Sequence, residues 1–251
     1  MRETSQSLLT RRRVLKTALA AGASCGLVGS VEAHLPQQGS LKPGSVVVFQ
    51  GDSVTDCGRN RKHTGPNDSG AFGDGFPYHI ASRLLAIRPS SAYKFYNRGI
   101  SGNRVPDLEE RWQKDALDLK PDLLSILIGV NDLWHKLEGQ YDGLVEQYEA
   151  GLSGLIERTK KALPKTRLVI CEPFALRCGV VTDKWFPEFD KRQAVARRLC
   201  KEAEATWVPF QIMFNAACAA AKADHWAPDG VHPSMGGHAL MANVWIQFVK
   251  P

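Results

Sequence analysis

Short, β-branched apolar runs recur along this chain at Val46 to Phe49, Tyr93 to Tyr96, Leu123 to Ile128, Leu168 to Ile170 and Trp207 to Phe210. Each is brief and mostly unalternating, the pattern of strands covered on both faces. Helical spacings lie between them. Phe76, Ile80, Leu84 and Ile87 fall three and four apart, as do Leu144, Tyr148, Leu152, Leu155, Thr159 and Leu163. After the last run Ile212, Ala216 and Ala219 continue the spacing, and Gly237, Met241, Val244 and Phe248 predict a closing helix. Pro121 and Pro164 each stand just ahead of a strand and end the helix before it. Strands alternating with helices predict parallel βαβ units, an α/β fold with one sheet and helices on both faces. No repeat and no linker divides it. The segment from Gly58 to Gly75 is the one long irregular loop, and loops of that length are usually functional or mobile.

The N-terminus does not belong to this pattern. Arg11, Arg12, Arg13 and Lys16 are followed by uncharged Thr17 to Val31, rich in Ala, Gly and Val, and then by Val31-Glu32-Ala33. A basic region, a short apolar region and small residues at the end predict an export signal over residues 1–33, leaving one mature domain at 34–251. The apolar stretch is too short to span a bilayer, which takes roughly 20 residues. Thr10 to Lys16 looks like a twin-arginine signal with Val14 where that motif usually has Phe. An ordinary Sec signal, or a lipidated Cys25 with Gly22 in place of the lipobox Leu, would occupy the same stretch. The segment carries five basic residues (Arg2, Arg11, Arg12, Arg13, Lys16) and two acidic ones (Glu3, Glu32), so removing it lowers the net charge from +6 to +3. So small an excess gives no electrostatic case for a nucleic-acid partner. The full sequence has 43% hydrophobic and 23% charged residues, the composition of a globular protein, here expected to be exported to the periplasm or beyond with no stable membrane insertion once the signal is gone.

Cys57, Cys171, Cys178, Cys200 and Cys218 remain after the signal. An odd number leaves at least one unpaired within the chain. Cys171 and Cys178 could close a small loop, but a chain that folds in a reducing cytosol before export is expected to keep buried free thiols. No CxxC pair offers a zinc site.

In open α/β sheets ligands bind beyond the carboxyl ends of the strands. The segments just after the strands are therefore informative: Gly51-Asp52-Ser53-Val54-Thr55, then Asn97 to Asn103, then Gly129-Val130-Asn131-Asp132, and finally Asp229-Gly230-Val231-His232-Pro233 before the closing helix. These are parts for acyl transfer. A serine hydroxyl is a weak nucleophile and needs a base within hydrogen-bond reach. Ser53 is the candidate nucleophile, His232 its base, and Asp229 the acceptor that sets the imidazole tautomer. The backbone N–H groups of Ser53 and Gly102 and the side-chain amide of Asn131 are candidate oxyanion donors.

The Ser, Gly, Asn and His blocks, in this order over essentially the whole mature chain, resemble the SGNH/GDSL hydrolase superfamily. The resemblance implies a three-layer, flavodoxin-like α/β/α sandwich on a parallel five-stranded sheet. It also implies Ser53, His232 and Asp229 as catalytic residues, with Ser53, Gly102 and Asn131 as the oxyanion hole. Thr55 stands where a G-x-S-x-G elbow would place its second Gly, which disfavours the α/β-hydrolase fold. The stretches GDSVTDCGR, GISGNRVPDLEERW and GVNDLW look most like bacterial carbohydrate acetylesterases of the acetylxylan-esterase kind. That points to an esterase working through an acyl-enzyme, needing no cofactor and no metal, and deacetylating xylan, pectin or an oligosaccharide. Related carbohydrate esterases are often oligomeric, which leaves a homo-oligomer open.

Trp134, Trp226 and Asn103 are candidate substrate contacts, whereas Trp112 and Trp185 are expected to pack in the core. Asp52 and Asp132 are read as acceptors that hold turns, Arg104 as a substrate contact or a helix cap, and Cys57 as packed beneath the nucleophile's helix. His225, Asp229, His232 and His238 allow a rival reading as a metal-dependent hydrolase. The same chain could also be a lysophospholipase or thioesterase, or a carbohydrate-binding protein without activity.

Overall fold

The computed structural model describes residues 40–251; the export-signal reading concerns residues outside these. Five parallel strands form one sheet: β1 (Val46–Gly51), β2 (Lys94–Asn97), β3 (Leu123–Leu127), β4 (Arg167–Cys171) and β5 (Thr206–Val208), in the order β2-β1-β3-β4-β5. Strand order reverses between β1 and β3, so the crevice at their carboxyl ends is where such a sheet binds ligands.

Strand residues alternate between two cores. Val47 and Phe49 of β1, Leu123 and Leu127 of β3 and Val169 of β4 face α2 (Phe76–Ile87), α7 (Phe210–Ala217) and α9 (Met235–Val249). Val48, Leu124, Ile126, Leu168 and Ile170 face α3 (Val105–Asp115), α5 (Val145–Ala162) and α6 (Glu188–Glu202). Among the described residues three further short α-helices are α1 (Ser53–Asp56), α4 (Val130–Leu137) and α8 (Ala223–Trp226). This is the expected α/β/α sandwich. Ser125 is the one polar residue of central β3, and it accepts the indole N–H of Trp245 from α9 at 3.0 Å. Trp112 is fully buried with its N–H on the Thr159 hydroxyl, and Trp185 is buried as well, both as expected.

Two local expectations change. The last apolar run stops at Val208 rather than Phe210, because Pro209 has no N–H for the ladder and Phe210 already opens α7. The long loop after Gly58 is tied along the free side of β2. Asn67 donates its backbone N–H to Phe95, accepts the Phe95 N–H on its side chain, and donates its amide to Tyr93. A single asparagine thus satisfies backbone groups that an edge strand otherwise leaves open.

Candidate active site

β1 ends at Gly51, and the chain turns at once into α1. Asp52 caps it: its carboxylate accepts the Val54 N–H at 3.0 Å, and its carbonyl accepts from Thr55 and Asp56. Ser53 is the first helical residue, so its own N–H has no partner within the helix. Burial pushes the Asp52 carboxyl up to about 7, against the pull of the Val54 N–H and the His232 side chain.

His232 comes from the loop before α9. The Asp229 carboxylate accepts the backbone N–H groups of Val231 (2.9 Å) and His232 (2.7 Å) on one oxygen and the imidazole Nδ1 of His232 on the other, at 2.7 Å. Partial burial raises the Asp229 carboxyl, but these hydrogen bonds outweigh it and hold the group below the ordinary carboxylate range. With Nδ1–H on Asp229, Nε2 is left as an acceptor. It lies 2.8 Å from the Ser53 hydroxyl.

The loop after β2 packs closely against the Ser53 turn. Gly99 approaches so closely that a Cβ there would lie 2.4 Å from the Asp56 nitrogen. Asp56, at the end of α1, accepts the Ser101 N–H (2.8 Å), the Ser101 hydroxyl (2.9 Å) and the Arg61 guanidinium (2.8 Å). Gly102 follows with φ +83, a backbone that side chains rarely adopt, although a Cβ would meet no atom. The Asn131 amide, from the start of α4, donates one hydrogen to the Asn103 carbonyl at 3.1 Å. Its second hydrogen stays available. Asp132 accepts the Val105 N–H and so ties α4 to α3; burial pushes its carboxyl up to about 6.

Ser53, His232 and Asp229 therefore lie in one hydrogen-bonded line, while Gly102 and Asn131 are joined through Asn103. The Trp134 ring stands 6.0 Å from the His232 ring, centroid to centroid, and 5.7 Å from Trp185. Trp226 spends its indole N–H on the Ala217 carbonyl and packs partly buried against the core. Asn103 and Arg104 are occupied too, Asn103 by an arginine of α3 and Arg104 as the cap of α3, paired with Asp107.

Cys57 lies half-buried at the end of α1 rather than beneath it. His238 Nδ1 accepts the Phe76 N–H, so its Nε2–H faces Cys57 Sγ at 3.3 Å, and the thiol faces Asp74 at 3.1 Å. Burial and the Asp74 carboxylate push this thiol up to about 12, which removes it as a rival nucleophile. His238, held at about 4 by burial, and His225, edge-on to the Trp226 ring, have uses that do not involve a metal. Sequence reasoning missed Asp56, Arg111 and Arg59, whose Nε donates to the Gly99 carbonyl at 2.7 Å, polar side chains that hold these turns together.

The sequence matches the GDSL-like lipase/acylhydrolase family over residues 49–240, from the end of β1 into the closing helix. The chain belongs to that family. An acetylxylan esterase of Geobacillus stearothermophilus is 34% identical over 212 residues, 81% of this chain and 93% of that enzyme. A crystal structure of an acetylxylan esterase from Geobacillus stearothermophilus superposes with a TM-score of 0.75 at 32% identity, covering 83% of this chain and 96% of that one. A Parabacteroides merdae protein called a GDSL-like lipase gives 0.82 at 47% identity, covering 84% and 98%. Structures of the Geobacillus esterase include three catalytic mutants, in which a serine, an aspartate or a histidine is replaced by alanine. The three lie along that enzyme's chain at the same separations as Ser53, Asp229 and His232 here. The family is one of ester hydrolases, and this acylhydrolase shares the α/β fold of its relatives.

Proposed function

We propose that this acylhydrolase is an exported serine esterase that removes acetyl groups from a carbohydrate. The observation that carries the proposal is the continuous line from the Ser53 hydroxyl through the His232 imidazole to the Asp229 carboxylate, at 2.8 and 2.7 Å. Ser53 Oγ attacks the ester carbonyl as His232 Nε2 takes its proton, and Asp229 steadies the imidazolium. The tetrahedral oxyanion is met by the Ser53 and Gly102 N–H groups and the free hydrogen of the Asn131 amide. When the tetrahedral species collapses, the C–O bond to the sugar breaks and His232 protonates the departing sugar oxygen. Water, deprotonated by His232, then attacks the acetyl-serine; acetate leaves and Ser53 recovers its proton.

Two observations favour a small acyl group on a bulky acceptor. The His232 and Asp229 side chains are 43% and 36% exposed, so the site opens on the surface, where a polymer can present a protruding ester. The similarity to an acetylxylan esterase supports the same substrate class. Trp134, beside His232, is the aromatic face best placed to meet a sugar ring. Residues 1–33, with their twin-arginine-like start, are read as the export signal, and the domain as 34–251.

Acetate release from acetylated xylan, pectin and xylo-oligosaccharides, run beside aryl esters of increasing chain length, tests this. Acetate release with acetyl preferred over octanoyl esters is expected. Preference for octanoyl or lysophospholipid esters would sink the carbohydrate reading, and undiminished activity of Ser53→Ala would sink the serine mechanism.

A further inference from the structure

Arg111 lies on α3 beside the apolar stripe of Val105, Leu108 and Trp112, and only 14% of its side chain is exposed. Burying a guanidinium is costly unless its donors are satisfied. Its pairing with Asp115, one turn along the same helix at 3.2 Å, uses one direction of the fork. The remaining contacts all go to site segments. Nε donates to the Asn103 side-chain oxygen at 2.8 Å, Nη1 to the Arg98 carbonyl at 2.8 Å, and Nη2 to the Gly51 carbonyl at 3.3 Å. Gly51 is two residues before Ser53, Arg98 directly follows β2, and Asn103 follows Gly102 and accepts the Asn131 amide on its carbonyl. One planar cation therefore touches the segments that carry two of the candidate oxyanion donors, Ser53 and Gly102, and holds the residue, Asn103, on which the third, Asn131, is hydrogen-bonded.

We propose that Arg111 is a positioning residue for ester hydrolysis: its guanidinium sets the spacing between the nucleophile turn and the Gly102–Asn103 turn, and so pre-forms the oxyanion hole. The inference rests on the proposed roles of Ser53, Gly102 and Asn131. Donors aimed at a developing charge must be in place before the reaction, and displacement by about 1 Å costs on the order of 10²-fold in rate. Lysine cannot substitute, because a single ammonium does not reproduce a rigid fork of divergent donors. The role is one of geometry, so its loss falls on kcat and leaves ground-state binding nearly untouched.

The test uses Arg111→Lys, Arg111→Met and Arg111→Ala, with active centres counted by a fluorophosphonate and folding followed by Tm. On an aryl acetate, Arg111→Met and Arg111→Lys should lose about 10- to 100-fold in kcat per folded molecule with KM nearly unchanged. A boronic acid, whose adduct with Ser53 occupies the oxyanion position, should lose affinity by a similar factor. Added methylguanidinium should restore part of the rate of Arg111→Ala but none to Ser53→Ala. Unchanged kcat in either folded variant, a loss confined to KM, or failure of both variants to fold would overturn the proposal. Retained activity in Ser53→Ala would instead show that the underlying reading of the site had failed.

Discussion

The single carboxylate of Asp229 accepts two backbone N–H groups of its own loop and the imidazole of His232, so one side chain shapes the loop and chooses the tautomer. Asp229→Asn keeps the size but lets the amide stabilise the wrong imidazole tautomer. We expect kcat to fall on the order of 10⁴-fold with unchanged circular dichroism. Asp52 makes the opposite case. Its folded carboxyl is raised to about 7 by burial, so between the ordinary carboxylate range and pH 7 the native state holds a proton that the unfolded chain has released. Stability from this group therefore declines as pH rises across that window. Asp52→Asn keeps a capping oxygen for Val54 and removes the buried charge, so its Tm relative to wild type should be higher at pH 8 than at pH 4. An equal shift at both pH values would refute burial as the cause. Ser53, Asp229 and His232 were legible in the sequence because each stands in a turn bracketed by glycine or proline after a readable element. Asp56 and Arg111 were not. A charge on a helix reads as solvated until the loop that closes over it is known.

At the scale of elements, α1 and the turn after β2 are fitted without spare room. Gly99→Ala would bring a Cβ within 2.4 Å of the Asp56 nitrogen and 2.7 Å of the Thr55 carbonyl carbon, so one turn must move. We expect a loss of about 1–3 kcal/mol in stability by denaturant unfolding. A larger loss in kcat than that fraction of unfolded protein explains should accompany it. Strands and the helices α2, α5 and α9 could be read from periodicity because most of their buried positions are apolar, although Thr159 and His238 are buried too and Ile87 and Phe248, which the spacing placed in the stripes, are exposed. α6 could not, since its inward stripe of Phe189, Val195, Ala196 and Leu199 is interrupted by Arg192, which is fully buried. That arginine donates to the Gly143 carbonyl and to Glu188, supporting the chain between α4 and α5. A buried cation breaks the pattern that reveals a helix while satisfying the backbone of another segment.

At the scale of the molecule, none of Cys57, Cys171, Cys178, Cys200 and Cys218 is bridged, and burial raises the thiols of Cys57, Cys171 and Cys200 to about 12. Two apolar layers clamped on one sheet hold the described residues together without staples. Reductant should therefore leave Tm unchanged, and a fall would reveal a disulfide. The parallel five-stranded sheet was implied by the family resemblance, whereas the pinning of the Gly58–Gly75 loop by Asn67 depends on an edge that only the assembled sheet defines. The contact between Ser53 and His232 joins residues 179 apart in sequence, and His232 is seated only when α9 docks against α2. Contacts of such separation are among the last that a folding chain can close. If Ser53 and His232 act as proposed, hydrolytic competence reports completion of synthesis: a nascent or truncated chain ending before residue 232 would carry the candidate serine without its base, and we expect it to be inert.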